Sequence, residues 1–164
     1  MKIRIGVIGS DANVSEDILG MSERIGRDVA RRNCILVCCG RGGVMEAACR
    51  GARMENGLSV GILPSLDRAD ANPYVDVALT TGMSYSRNAL VVSSSDAVIA
   101  VNGRAGTLSE AGLALSYGKI VVAVKGSGGV AEYLSGELGR MGINKRIHVA
   151  SAEDAVDLAL KLIE

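Results

Sequence analysis

The segment Asn102 to Glu110 reads NGRAGTLSE and follows a short apolar run, DAVIA. Glycine lets backbone N–H groups turn toward a ligand, and a helix that begins at such a turn adds unpaired donors and the positive end of its dipole. The chemistry this supports is binding of phosphate or another oxyanion, by Gly103, Arg104, Ala105, Gly106 and Thr107. A second stretch, CCGRGGVMEAACRGA, places Gly40, Gly42 and Gly43 before a helix that carries Glu46, and Gly9 with Ser10 closes the first apolar run of the chain. A glycine turn also serves simply to join a parallel strand to its helix. The recurrence of such loops is what points to a site, because two of them at neighbouring strand ends could share one ligand.

Two side chains could add chemistry to that cradle. Thr107 and Glu110 stand three apart, the spacing of a capping box in which Thr caps the helix and Glu reaches back to its backbone N–H. Spacing alone supports this structural role and a catalytic carboxylate equally. Arg87, in MSYSRNALVV, lies near the start of a helix, where a cation is unfavourable unless it has an anion to meet or is simply solvated. The dinucleotide fingerprint G-x-G-x-x-G is absent from both GVIGSD and GRGGVM, and no acidic residue ends the second strand to grip a ribose, which disfavours NAD. No G-x-x-x-x-G-K-[ST] occurs either.

Positioning such loops requires a parallel sheet. Seven short runs, IRIGVIG, CILVCCG, LSVGILP, VDVALT, DAVIAVN, KIVVAVKG and RIHVA, are rich in Val and Ile and mostly continuous in apolar character. That pattern predicts strands covered on both faces. Helical segments alternate with them. The first is expected to start at Ser15 as N-cap, with Glu16 and Asp17 in its first turn and Ile18, Ile25 and Val29 as its apolar stripe. The last follows Ser151 with Ala155, Val156, Ala159, Leu160 and Ile163. The expectation is an α/β, Rossmann-like, doubly wound and mainly parallel sheet of about seven strands, forming a single domain over residues 1–164. Ligands in such sheets bind outside the carboxyl ends of the strands, which is where the glycine loops fall. Pro64 to Pro73, PSLDRADANP, is the longest irregular segment, either a surface lid or a plain connector.

Composition narrows the partners. Lys plus Arg and Asp plus Glu number 18 each, so no net field draws the chain to nucleic acid or an anionic membrane. The aromatic residues are four tyrosines, too few for a set of base-stacking platforms. No apolar run approaches the roughly 18 residues that span a bilayer, and MKIRIGVIG is interrupted by Arg4, unlike a signal sequence. The expected location is the cytoplasm. Cys34, Cys38, Cys39 and Cys49 form no C-x-x-C pair and are expected to be small buried hydrophobes; with His148 the only histidine, no metal site is expected.

Taken together, NGRAGTLSE, GRGGVMEAACRGA and NPYVDVALTTGMSYSRNALVV resemble, in order and spacing, the lysine-decarboxylase-like Lonely Guy (LOG) superfamily, whose hallmark is P-G-G-x-G-T-x-x-E. The resemblance covers nearly the whole chain, and is strongest to the short branch that includes molybdenum cofactor carrier proteins. It implies that Gly103, Gly106 and Thr107 hold phosphate, that Met83 belongs to the ligand site, and that Arg87 and Glu110 are a catalytic pair cleaving the N-glycosidic bond of a nucleoside 5′-monophosphate. Base and ribose 5-phosphate would be released, with no cofactor required. The alternative it implies is a non-catalytic carrier of a phosphorylated pterin, with molybdenum cofactor as bound ligand. It also implies a homo-oligomer, dimer or tetramer, for which the apolar helices Ala89–Val92 and Leu108–Leu115 are the expected contacts. No Schiff-base lysine for pyridoxal phosphate stands out. Two departures are evident. Asn102 replaces the motif Pro and is expected to change only loop stiffness. Arg104 replaces its second Gly, where a Cβ restricts positive φ; its guanidinium would either add a phosphate contact or fill the site.

Overall fold

The computed structural model describes residues 1–138 and 145–163. Its strands are β1 (Arg4–Gly9), β2 (Ile35–Cys38), β3 (Leu58–Leu63), β4 (Val77–Thr80), β5 (Ala97–Val101), β6 (Ile120–Val124) and β7 (Ile147–Ala150). All pair in parallel, in the order β4-β3-β2-β1-β5-β6-β7. The helices are α1 (Glu16–Arg31), α2 (Val44–Met54), α3 (Asn88–Ser93), α4 (Ala105–Ser116), α5 (Gly129–Tyr133) and α6 (Ala155–Ile163). This is the expected α/β, Rossmann-like architecture. α1 packs against α2 and α6, while α4 packs against α3 and α5, so the sheet is covered by two helical layers.

Each strand of the sheet's centre is apolar because both its faces are covered. Every residue of β5 and β6 is buried, as are Ile5 to Ile8 of β1. The expectation fails at the edges. Val77 and Leu79 of β4 are exposed, and β7 has no buried residue, because an edge strand lacks a neighbour on one side. α1 and α2 touch backbone to backbone: a Cβ on Gly26 would lie 1.9 Å from the Ala48 carbonyl oxygen, and one on Gly51 2.0 Å from that of Glu23. All the cysteines are buried free thiols, with Cys38 Sγ 3.6 Å from Cys49 Sγ.

Ser15 does occupy the N-cap of α1, but its side chain makes no capping hydrogen bond. The Ser151 hydroxyl, by contrast, accepts from the Asp154 N–H at 3.3 Å and donates to the Asp154 carboxylate at 2.9 Å. Ser15→Ala is therefore expected to leave the thermal midpoint nearly unchanged, whereas Ser151→Ala costs about 1 kcal/mol. Equal losses in a melting comparison would contradict the distinction.

The segment from Pro64 to Pro73 contains one short 3₁₀ turn, Arg68–Asp70, whose Ala69 N–H is capped by Asp67. Asn72, buried, accounts for its attachment: its N–H and side-chain amide bond the Gly40 carbonyl, and the amide also bonds the Arg41 carbonyl at 2.9 Å. Beyond β4, the Thr81 and Ser84 N–H groups bond the carbonyls of Leu63 and Pro64, which fixes a second 3₁₀ turn, Ser84–Arg87, beside the end of β3.

Candidate functional site

Strand order reverses between β1 and β5, and a cleft of about 540 Å³ opens at their carboxyl ends. This is the topological switch point at which open α/β sheets bind ligands. Gly9, Ser10, Arg87, Arg104, Ala105, Gly106, Thr107 and Glu110 line the cleft, joined by Asp11, Cys39, Met45, Tyr85, Asn88 and Ser109, which sequence reasoning did not single out.

The N-termini of α2, α4 and α5 at this sheet edge differ in what meets their N–H groups. At α2 the Val44 N–H bonds the Ser10 carbonyl at 2.9 Å. At α5 the N–H groups of Val130 and Ala131 bond the carbonyls of Gly103 and Asn102 at 3.0 and 2.9 Å. At α4 no side chain caps the first turn, and Ala105, Gly106 and Thr107 all line the cleft. The first N–H groups of a helix have no intrahelical partner, so an anion in the cleft meets free donors and the positive dipole end at α4. The remaining cradle residues are packed rather than open. Gly42 and Gly43 lie against the Ser10 and Asp11 backbone, Gly40 against Gly61 of β3, and exposed Met83 precedes the Ser84–Arg87 turn; none of them lines the cleft.

Within the NGRAGT turn, positive φ belongs to Asn102 (55°) and Gly103 (108°). A Cβ on Gly103 would sit 2.5 Å from the Thr107 side chain. Arg104 is extended, with φ −128° and ψ −158°, so its Cβ causes no strain and the feared restriction does not arise. Its side chain is exposed on the cleft and has no ion-pair partner among the described residues. Gly106 has nothing within 4 Å of where a Cβ would stand.

Asn102 does more than alter stiffness. Its Oδ1 accepts from the Ser10 hydroxyl at 2.8 Å and the Gly103 N–H at 2.7 Å, and its Nδ2 donates to the Ser127 carbonyl at 2.8 Å. Its own N–H donates to the Ser127 hydroxyl at 2.8 Å. One side chain thus ties together the turns that follow β1, β5 and β6. Proline, fixed near φ −65°, cannot adopt this backbone. The signal was available, since Asn before Gly is a left-handed turn pair. Asn102→Ala removes three side-chain hydrogen bonds and places Cβ at positive φ without Asn's local compensation. The expected loss is about 2–3 kcal/mol in urea denaturation; a loss below about 0.5 kcal/mol would count against the clamp.

The capping-box reading of Thr107 and Glu110 is replaced by a different arrangement. α4 begins at Ala105, so Thr107 is already inside the helix, and both side chains are buried. Glu110 Oε1 lies 3.5 Å from Arg87 Nη1, and each residue is more than nine-tenths buried. Burial pushes the Glu110 carboxyl up to about 7, against the opposing pull of the Arg87 guanidinium. Arg87 Nη1 also donates to the Asn88 carbonyl oxygen of the side chain, whose Nδ2 donates to Ser109 Oγ at 2.8 Å; Ser109 in turn bonds the Gly106 carbonyl at 2.8 Å. Arg87 Nε is buried without a hydrogen-bond partner among the described residues. The pair therefore joins α3 to the open end of α4.

The sequence profile of the SLOG cluster4 family matches residues 2–156. The chain belongs to the SLOG cluster4 family. An uncharacterized protein of Archaeoglobus fulgidus is 40% identical over 123 residues, 75% of this chain and 80% of its own. Among solved structures, the molybdenum cofactor binding protein of Rippkaea orientalis superposes with a TM-score of 0.91 and 35% identity over 100% of this chain and 99% of that one. The molybdenum cofactor carrier protein of Chlamydomonas reinhardtii gives 0.86 and 30% identity over 99% and 98%. This SLOG cluster4 chain thus has the complete fold of both. Among its described residues no helix is long and apolar enough to cross a membrane, and no cluster of His, Cys, Asp and Glu could hold a metal ion.

Proposed function

We propose that this SLOG cluster4 protein binds a phosphorylated small molecule with its phosphate at the N-terminus of α4, as a carrier of a phosphorylated pterin of the molybdenum cofactor class. The observation that carries the reading is the open first turn of α4, facing a 540 Å³ cleft beside Arg104, which has no ion-pair partner among the described residues, where the neighbouring turns of α2 and α5 meet backbone carbonyls. Support comes from the relatives named for binding and carrying molybdenum cofactor, which match nearly the whole chain. The residues present fit the phosphate end of such a cargo. Gly103 and Thr107 shape the turn, Gly9 lets β1 pack closely on Val101 and Val44, Gly106 leaves room, Ser10 holds Asn102, and Ala105 to Thr107 offer N–H donors. The protein works in the cytoplasm as one domain, without nucleic acid, in a homo-oligomer to which exposed Leu90 and Leu108 contribute; a monomer in gel filtration would oppose that assembly.

Guanosine 5′-monophosphate is a suitable probe, because guanine and pterin share a 2-amino-4-oxopyrimidine edge. Calorimetric titration is expected to show binding of the monophosphate, none of guanosine, and about tenfold weaker binding by Arg104→Ala. Equal binding of guanosine would remove the phosphate site.

The Glu110–Arg87 pair favours a second reading, hydrolysis of a nucleoside 5′-monophosphate. Ionised Glu110 would take a proton from the water that adds at C1′ while the C1′–N bond breaks, the base leaving with the electron pair and taking up that proton, and Arg87 would hold a ribose hydroxyl or the departing base. Release of ribose 5-phosphate by the native chain that vanishes in Glu110→Ala would select this enzyme; no release from any monophosphate would select the carrier.

A further inference from the structure

A second cleft, of about 310 Å³, adjoins the first and shares Asp11, Tyr85 and Arg87 with it. Its other walls are Arg41, Pro64, Ser65, Asp70 and Ser84. The two differ in chemistry. The first has the open end of α4 and Arg104, groups that address phosphate. In the second, Arg41 Nε lies 4.0 Å from the Asp11 carboxylate, and Asp70 with the hydroxyl-bearing Ser65 and Ser84 line the same cleft, groups that address hydroxyls and amino groups.

The seam between them is itself built for a ligand. Asp11 and Tyr85 are exposed there, Tyr85 at 80%, so its ring is free to take a planar group on its face. Beneath it Arg87, 8% exposed, lines both clefts, and its buried Nε has no hydrogen-bond partner among the described residues. Nε is enclosed by protein, so a ligand crossing the seam meets Arg87 as a fixed positive charge lining both clefts rather than through that N–H.

Resting on the phosphate reading of α4, we infer that the ligand is nucleotide-extended: a diphosphate-bridged molecule whose first phosphate sits at α4, whose bridge crosses Arg87, and whose nucleoside arm occupies the cleft walled by Asp70 and Ser65. Neither cleft alone accounts for Arg87 facing both. Asp70 touches only the second cleft, so it reads the arm without touching the phosphate site.

The test compares guanosine 5′-monophosphate, guanosine 5′-diphosphate and diguanosine diphosphate by calorimetry on the full chain. The dinucleotide is expected to bind at least tenfold more tightly than either mononucleotide. Asp70→Asn, a conservative change at an exposed position, is expected to erase that gain and leave the monophosphate unaffected, whereas Arg104→Ala weakens all three. If the monophosphate binds but the dinucleotide gains nothing over the diphosphate, or the gain survives Asp70→Asn, the second subsite is overturned and the α4 site stands. If none of the three binds, the α4 reading falls and the extension with it.

Discussion

Glu110→Gln is expected to make the protein more stable at pH 8 and to leave it unchanged at pH 4. The carboxyl titrates near 4.5 when unfolded and near 7 when folded, because burial disfavours its charge more than Arg87 restores it. Between those values the native state holds the extra proton, so stability is complete below about pH 4.5 and falls as pH rises through 7. The shift corresponds to roughly 3 kcal/mol. Gln keeps the shape of the neutral acid and removes the titration, so the difference between variant and native should grow across this window and then level off. Urea denaturation at a series of pH values measures it, and parallel curves would refute the assignment. An anion entering the cleft pushes the carboxyl further up. Ligand binding near neutral pH should therefore take up protons, visible as a dependence of the binding heat on buffer.

The second large effect separates two glycines of one turn. Gly103→Ala forces a side chain into φ 108° and drives its Cβ to 2.5 Å from buried Thr107, for an expected loss of roughly 4 kcal/mol. Gly106→Ala meets nothing within 4 Å and lies inside a helix, where Ala is better than Gly by about 0.5–1 kcal/mol. Its methyl would project toward the donors that the proposal assigns to phosphate. The expected outcome is a stabilised chain with weakened monophosphate binding, beside a destabilised Gly103 variant. Melting and titration of the two proteins decide the matter. Tight binding by Gly106→Ala would move the anion away from α4.

These contrasts mark what the residues alone could and could not say. The alternation of Val- and Ile-rich runs with helical stripes led to seven parallel strands because central strands are buried on both faces, a property written in composition. β4 and β7 come from similar runs at an exposed edge, and the local mark of that edge is a polar residue, Thr80 and His148, where β5 and β6 have none. Arg87 and Glu110 are 23 positions apart in the chain; their 3.5 Å contact depends on how α3 lies on α4, which no spacing rule encodes. The capping-box expectation failed for the same reason. The helix starts two residues earlier than Thr107, and tertiary burial of Glu110 outweighs a local reach back to the backbone. GRGG and GRAGT look alike as strings, yet one turn is filled by the Ser10 carbonyl and the other opens on the cleft.

The left-handed Asn102 bears on how such chains descend from one another. A motif written with proline and one written with asparagine at this place describe two backbone paths, because φ 55° is closed to proline. Putting proline at 102 would break the turn and the ties to Ser10 and Ser127, whereas asparagine in a proline-type turn meets no such bar, since it takes φ near −65° as readily as other residues. Glycine tolerates both paths. Asparagine does so too, so a change from proline to asparagine leaves the left-handed path open to be taken up later with its clamp, while the reverse change is barred for as long as the ties to Ser10 and Ser127 hold.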